Sequence, residues 1–438
     1  MRTRSGVVAV LAVLAFAVAV PAEGQEVPRT EAVDTVSLEE AVARALDTSP
    51  QVVQAERGLG SAGFGTKQAY ASLLPNLSLS TGASLSSSDR FDQTTGLWVS
   101  NQSDSYNAGL SASMDVFSGG RNLAAVRSAR ATVEAAGATL VTRRFAVALE
   151  AKRAFFAVLR AEDLIRLNQE RIAQAREQLQ AAERRLQAGR ATRSDALRAQ
   201  LQLSNARQAL LNAETQRRTA MYALGQLVGV AGPVAAAPPA TLAPETLALT
   251  PAEMRELVRA AAPAVIASDA TLGVAEAALS QARAQYFPSV GVSGGYNWSN
   301  TEFGLNQGRT SWNTRVNLSY PLFNGLQREV SVDRAHAQLE VAEAEAAEAR
   351  RAALAGLERL MAALELAALE LVILDESVAV AEEDYRVQRE RYEHGAATIL
   401  ELVSSQIARM QAEHDLINAR YDYQIAKAEL ESLLGREL

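Results

Sequence analysis

The residue types that most often perform chemistry in proteins are few in this chain and are not arranged for it. Its three histidines, His336, His394 and His414, are scattered over predicted helix with no second ligand at a metal-binding spacing. The serine-rich stretch GASLSSS (82–88) alternates like a strand and has no histidine partner that would activate a nucleophile. The sequence also contains neither GxxxxGK[ST] nor HExxH, and its GxSxG match, GVSGG (291–295), lies inside the strand-like segment 290–298 and has no histidine partner. We therefore expect no enzyme, no cofactor and no metal site.

Two acidic residues do recur in a shared context. The stretches RLQAGRATRSDALRAQ (185–200) and RYEHGAATILELVSSQ (391–406) each place a glycine shortly before a Thr-x-x-acid quartet. Glycine takes the left-handed conformation that ends a helix, threonine caps the next helix, and the acid returns a hydrogen bond. We expect two sharp turns between helices, in which capping is at least part of the role of both acids. The residues concerned are Gly189, Thr192 and Asp195 in the first stretch and Gly395, Thr398 and Glu401 in the second.

The elements that position these turns belong to a duplicated chain. The two glycines lie 395 − 189 = 206 residues apart, and the same offset relates Phe117 to Phe323. Earlier landmarks follow a second offset, as in Pro75 and Pro288, where 288 − 75 = 213. Matching landmarks at two offsets indicate a tandem duplication with a longer loop in the first half. We expect a first repeat over 25–229, a second over 250–438, and a Pro/Ala-rich connector over 230–249 that runs extended along the surface.

The first residues predict export. In 1–24, Arg2 and Arg4 precede an apolar run and a small-x-small cleavage site, as in a secretory signal peptide. No later window offers the roughly 18–20 uninterrupted apolar residues of a transmembrane helix, so any membrane crossing must use strands. The chain has no cysteine for a disulfide or a lipid anchor. Its net charge of −7 and the lack of a Lys/Arg-rich run argue against a nucleic-acid partner.

Four segments have the period of strands. Each is about ten residues long and has an apolar face and a face of small polar residues; they are 77–85, 106–116, 290–298 and 312–322. A soluble sheet that is half-buried on a core is one explanation. Strands in lipid around a wet interior explain better the Ser/Asn-rich face and the aromatic residues near the far loops, Trp98, Tyr296, Trp298 and Trp312.

Two helices are too long for a compact domain. From about Leu123 to Ala188 and from about Gln327 to His394 there is no proline and almost no glycine, which predicts rods on the order of 100 Å long. The second rod carries a seven-residue seam that includes Leu357, Leu364 and Leu371. Such a seam is typical of a coiled coil.

Four strands cannot close a barrel, and lipid cannot satisfy open sheet edges, so other copies of the chain must supply strands. Two copies give eight strands and a bore filled by side chains, whereas three give twelve strands and an aqueous lumen. The small inward side chains favour three copies, but geometry alone leaves both numbers open.

At this point the chain resembles the TolC-like outer-membrane efflux family. The matching residues are Leu74-Pro75-Asn76-Leu77 and Phe287-Pro288-Ser289-Val290 before strands, Val116-Phe117-Ser118-Gly119-Gly120 and Leu322-Phe323-Asn324-Gly325 after strands, and the two glycine turns. The resemblance implies an α+β membrane channel, built as a homotrimer with a twelve-stranded β-barrel, four strands per chain, and a long antiparallel α-helical coiled-coil tunnel. It also implies a periplasmic adaptor and an inner-membrane transporter as partners, with docking at the tip turns that contain Gly189, Thr192, Gly395 and Thr398.

The resemblance assigns further roles at the tip. Glu401 matches the first acidic position that faces the pore, and the second such position is Ser404, so one acidic ring is expected. Tyr392 and Asp195 match a pair that ties the two hairpins of a subunit together. The arginine that the family often places two residues after the second glycine is Ala397 here, so the link made by that arginine is missing or is supplied by Arg190 or Arg193.

The function implied is the exit channel of a tripartite efflux or type I secretion system, in the outer membrane of a Gram-negative bacterium with its tunnel in the periplasm. Two alternatives are weighed. A periplasmic coiled-coil adaptor has one helical hairpin inside a β-rich body, and a trimeric adhesin groups its anchor strands at the C-terminus. Neither pattern accounts for two hairpins that each follow a pair of strands about two hundred residues apart.

Overall fold

The element order repeats once along the chain. The computed structural model describes residues 34–94, 96–239, 242, 249–303 and 308–438, so the expected signal peptide lies outside the described residues. Each half contains a short strand, two helices, a pair of long strands and two more helices. The first half comprises β1 (Asp34–Val36), α1 (Leu38–Thr48), α2 (Pro50–Ala71), β2 (Asn76–Asp92), β3 (Leu97–Phe117), α3 (Arg121–Gln187) and α4 (Arg193–Leu227). The second comprises β4 (Val234–Ala236), α5 (Pro251–Ala261), α6 (Pro263–Arg283), β5 (Ser289–Asn300), β6 (Arg309–Ser319), α7 (Gln327–Glu393) and α8 (Ile399–Leu434).

Proline and hydroxyl caps set the beginnings of the shorter helices. Pro50 and Pro263 stand at the first positions of α2 and α6, where a proline needs no hydrogen-bond donor. Thr250 forms a complete capping box with Glu253. The equivalent box at Ser37 is only half formed, because the Glu40 carboxylate bonds to Arg44 instead of returning to the cap.

The long helices α3 and α7 are the continuous rods of the molecule. Each has 67 residues, which corresponds to about 100 Å. In the half of the rods farther from the long strands, α4 packs on α3, α3 on α8 and α8 on α7. In the half nearer the long strands, α2 packs on α3, α3 on α6 and α6 on α7. Each of these two levels is thus a row of four helices, and α1 and α5 pack beside the rows. One edge of the row is α7, and the other is α4 or α2.

The predicted heptad seam of α7 lies in the core. Leu357, Leu364 and Leu371 are buried and pack with Leu416 and Leu430 of α8. Burial of the seam between the two helices holds the α7/α8 pair together, as the seam positions of a coiled coil do.

A second core lies halfway along the rods, and it contains part of the connector that was predicted to run over the surface. Residues Val234–Ala236 of the connector form strand β4, which pairs in parallel with β1. Val36 and Val234 are fully buried against α3 with Phe155. The connector therefore enters the core here instead of running over the surface, because its apolar valine and alanine side chains alternate inward.

One stretch of the described residues, Pro251–Tyr286, is long and apolar enough in composition to cross a membrane. It is divided at Ala262, whose extended conformation separates α5 from α6. Because α6 packs along both α3 and α7, this stretch belongs to the helical rows.

The four long strands form one antiparallel sheet in the order β2-β3-β5-β6. The register of the sheet puts the predicted apolar faces of the four strands on the same side. One row of directly opposite residues crosses all four strands: Leu79, Leu110, Tyr296 and Trp312. The other face carries rows such as Ser78, Ser111, Gly295 and Asn313. The strands β2 and β3, of 17 and 21 residues, are longer than the ten predicted. In the described chain β2 and β6 are edge strands, each paired on one side only.

Candidate functional site

The two helix tips have the same backbone. Gly189 and Gly395 adopt left-handed conformations, with φ of +66° and +77°. After each glycine the next amide bonds to the carbonyl five residues back, Arg190 N–H to Arg185 and Ala396 N–H to Arg391, both at 2.8 Å. The glycine amides bond to Leu186 and Tyr392 at 3.0 and 3.1 Å; these are the two bonds of a Schellman motif. The sharp turns predicted from the sequence are present at both tips.

Capping boxes then begin α4 and α8. The Asp195 carboxylate accepts hydrogen bonds from the Thr192 amide at 2.9 Å and hydroxyl at 2.8 Å, and the Asp195 amide donates to that hydroxyl. Glu401 and Thr398 repeat the arrangement, at 2.6 and 2.9 Å. The backbone and then the hydroxyl bonds from the threonines hold the pKa of both carboxyls below their ordinary values. Both acids therefore act as caps.

The contact between the two hairpins differs from the expected one. The guanidinium of Arg185 lies over the Tyr392 ring, 4.1 Å from its centre, and donates to the Glu393 carbonyl at 3.4 Å. Among the described residues Asp195 forms no hydrogen bond with Tyr392, and its Oδ2 accepts two hydrogen bonds from Thr192. The described protomer therefore joins its hairpins here through Arg185 and Tyr392 instead of the predicted Tyr392–Asp195 pair. The side chains of Arg190 and Arg193, predicted as substitutes for the family arginine that Ala397 replaces, form no ion pair within the described protomer.

Sequence reasoning did not single out Arg185. It stands in the last turn of α3, where a basic residue is common because it complements the negative end of the helix dipole. Nothing in the spacing indicates that its side chain reaches the other hairpin.

The remaining tip residues lie at the surface of the protomer. Glu401 and Ser404 are both exposed, and their spacing of three residues places them on one face of α8. Arg193 is exposed at the first position of α4. The face of α8 that follows its Thr398 cap therefore exposes one carboxylate, that of Glu401, and then the hydroxyl of Ser404.

Each of the three histidines contacts a residue of its own helix. His336 is 3.3 Å from Glu340, His414 lies 3.1 Å from Asn418, and His394 contacts the Glu390 carbonyl. Within the part of the chain that the structure describes, no three His, Cys, Asp or Glu side chains are grouped as metal ligands.

Comparison with known proteins identifies the family. The model of the family described as "Outer membrane efflux protein" matches residues 41–230 and 254–436. The chain belongs to this family. The two matched segments begin 213 residues apart and end 206 apart, the same two offsets that the landmarks gave. The duplication predicted from the sequence is thereby confirmed.

Individual relatives agree with the family. The chain is 29% identical over 415 residues to Protein CyaE of Bordetella pertussis, which covers 92% of this chain and 83% of the relative. It is 28% identical over 397 residues to the pyoverdine export outer membrane protein OpmQ of Pseudomonas aeruginosa, covering 86% and 82%. The crystal structure of the outer membrane protein VceC from Vibrio cholerae superposes with a TM-score of 0.79 at 20% identity, covering 91% of this chain and 96% of VceC.

These findings confirm the predicted fold class and location. The protein is an outer-membrane efflux channel subunit with four long strands, long helical hairpins and an internally duplicated chain.

Proposed function

We propose that three copies of this chain form a passive exit channel, which is gated at the helix tips and works with a periplasmic adaptor and an inner-membrane transporter. The observation that carries the proposal is that each layer of the protomer ends in two unpartnered edges. In the described chain β2 and β6 bound the sheet, and α4 or α2 and α7 bound the helical rows. In a closed ring, one edge of each copy meets the opposite edge of the next copy, so every strand edge and every helix edge gains a partner.

The number of copies follows from simple geometry. Helices pack about 10 Å apart, so twelve helices from three rows give a ring about 38 Å across between axes and a bore of about 28 Å. Two copies leave about 15 Å between the helices but fill the eight-stranded barrel with side chains. Three is the smallest number that leaves an aqueous path through both layers.

The helical edges are complementary to each other. Leu211 on α4 is 63% exposed and Ile373 on α7 is 62% exposed, and each belongs to an apolar series at coiled-coil spacing. The two series are Leu197, Leu201, Leu211 and Tyr222 on α4, and Leu366, Leu369, Ile373, Val380 and Val387 on α7.

The charges beside these series are also opposite. On α4, Arg207, Arg217 and Arg218 are exposed and form no ion pair within the described protomer, and the same holds for Glu365, Glu370 and Glu376 on α7. Contact between α4 of one copy and α7 of the next would bury both apolar series and pair these charges.

At the tip, three copies would bring three Glu401 carboxylates together, and Ser404 leaves this as the single acidic ring. In the protomer the hydrogen bonds from Thr398 hold the pKa of Glu401 below its ordinary value, so each carboxylate would enter the ring ionised at neutral pH. Such a ring favours cations and binds multivalent cations as a block.

Recording of single channels in planar bilayers tests this proposal. Wild-type protein should conduct in discrete steps with a preference for cations, and Glu401→Ala should reduce that preference and weaken block by multivalent cations. Ser404→Ala, which removes no charge, is the matched control. The gate proposal fails if Glu401→Ala and Ser404→Ala behave alike, and the channel proposal fails if the wild type does not conduct.

A further inference from the structure

Two ion pairs set the register between the antiparallel helices α3 and α8. Arg153 of α3 pairs with Glu429 of α8. Farther along α3 by 160 − 153 = 7 residues, Arg160 pairs with Asp422, which precedes Glu429 by 429 − 422 = 7 residues. Equal steps in opposite directions determine which residues face each other farther towards the tips.

The same register places an amide opposite the next arginine on this face of α3. Arg171 follows Arg160 by 171 − 160 = 11 residues, which is three turns of helix. The equal step on α8, 422 − 411 = 11, leads to Gln411. Arg171 and Gln411 do line one small pocket together. An amide therefore stands where the two earlier arginines meet a carboxylate.

Arg171 has no counter-ion in the part of the chain that the structure describes. Its half-buried guanidinium forms no hydrogen bond or ion pair there, and burial lowers its pKa with no acid to offset the effect. In the proposed ring the copies meet through α4 and α7, whereas α3 and α8 are the central helices of the row. A neighbouring copy would thus leave this guanidinium unpaired, at a cost in desolvation.

The pocket beside Arg171 has the polar and apolar parts of a small ligand site. Its volume is about 110 Å³, close to the share of three or four water molecules at about 30 Å³ each. Asn168 and Gln411 each donate one amide hydrogen within their own helix, at 2.7 and 2.8 Å, and each amide carries a second hydrogen for a ligand. The apolar wall consists of Leu167, Ile407 and Met410.

The acid nearest in sequence to this wall of α8 is already engaged. Asp415 accepts the hydrogen bond from Gln411 and lies 3.4 Å from Nδ1 of His414, which also lines the pocket. Its carboxylate is held within α8, so Arg171 remains available to an anion from outside the chain.

The pocket opens on the face of α8 that carries the proposed acidic ring. Gln411 follows Ser404 by seven residues, or two turns, and Ser404 shares its face with Glu401. In the proposed channel this face lines the tunnel, and three copies would place three such pockets around it.

We propose that this pocket binds the carboxylate of a small molecule passing along the tunnel, in the place opposite Arg171 that Asp422 takes opposite Arg160. The carbon chain next to the carboxylate lies against the apolar wall. This inference rests on the proposed function and names a class of cargo for it: molecules that carry a carboxylate on a short apolar chain.

The test measures binding of butyrate to the full mature protein in deuterated detergent by saturation-transfer NMR. Butyrate should bind with an affinity on the order of 1 mM, as expected for a ligand of this size. The compound n-butylammonium, which has the same chain and the opposite charge, should not bind, and inorganic phosphate should bind more weakly than butyrate because it lacks the chain.

Two variants remove the site in opposite ways. Arg171→Gln should weaken butyrate binding by about 10- to 100-fold, the effect of losing a charge-assisted hydrogen bond. Gln411→Glu should weaken it as much, because it supplies the missing acid opposite Arg171. Arg176→Gln, which changes an exposed arginine of α3 without an ion pair in the described chain, should stay within about twofold of the wild type. Circular dichroism checks that all three variants keep their helices.

Five results overturn the proposed site. They are the absence of butyrate binding, equal binding of n-butylammonium, equal affinities in Arg171→Gln and Arg176→Gln, unchanged binding in Gln411→Glu, and tighter binding of phosphate than of butyrate, which would indicate a site for free inorganic anions. Channel currents of the same preparations test the proposed function separately. Intact currents without butyrate binding therefore refute the pocket alone.

Discussion

The proposed gate can be tested directly through the Arg185–Tyr392 link between the two hairpins. Replacing Arg185 by alanine removes its stacking on Tyr392 and its hydrogen bond to the Glu393 carbonyl. Since this link holds the tips of one subunit together, its loss should raise the resting conductance of the channel.

The expected size follows from the two contacts. A cation–π contact at a partly exposed site contributes about 0.5–1 kcal/mol, and a hydrogen bond as long as this one about 0.5 kcal/mol. Each subunit thus loses about 1–1.5 kcal/mol, and three subunits opening together lose about 3–4.5 kcal/mol. The ratio of open to closed channels should rise by roughly 100- to 2000-fold.

Planar-bilayer recording of resting open probability measures this ratio. Arg184→Ala is the matched control, because the exposed side chain of Arg184 forms no hydrogen bond, ion pair or ring contact in the described chain. Tyr392→Phe should stay closed since it keeps the ring, whereas Tyr392→Ala should open the channel. Equal resting currents in the Arg185→Ala and Arg184→Ala channels would refute the reasoning.

Two further predictions concern the backbone and the caps. Gly120 and Leu326 occupy equivalent positions before α3 and α7, with φ of +86° and +64°. Gly120→Leu should therefore destabilise the protein by about 1–2 kcal/mol, while Leu326→Gly should leave its stability unchanged or raise it slightly. Thermal unfolding of the solubilised protein compares the two variants, and equal shifts of their midpoints would contradict the argument. Because Asp195 and Glu401 have pKa values below their ordinary ones, their caps stabilise the tips above the unfolded pKa, about 4. This stabilisation should be lost as the pH falls through the folded pKa, seen as faster amide exchange at both turns, and Asp195→Asn should abolish the pH dependence at its own turn.

Local sequence signals predict much of this structure. The glycine turns, the Thr-x-x-acid caps and the two duplication offsets each depend on a few neighbouring residues, so their outcome needs no knowledge of tertiary contacts. The alternating faces of the strands determine the register of the sheet in the same way, since a slip of one residue would move every side chain of a strand to the opposite face.

Features that depend on long-range contacts were not predictable. Strands β1 and β4 have three residues each and form only because two distant segments meet over Phe155. The first hairpin exceeds its predicted length because its serine-rich ends continue the ladder through residues that resemble a polar loop. Arg185 joins the tip by reaching across to another hairpin, which no sequence spacing encodes.

The central claim is that α4 of each copy meets α7 of the next in a closed ring of three. Leu211 lies about 27 Å from its tip along α4, and Ile373 about 30 Å from its tip along α7, so the two should face each other between copies. The chain has no cysteine, so Leu211→Cys/Ile373→Cys places a clean pair at that contact. Mild oxidation of the double variant in membranes should give a covalent ladder that stops at the trimer, while each single variant stays monomeric. A double variant that remains monomeric, or a ladder that continues past three, would contradict the account.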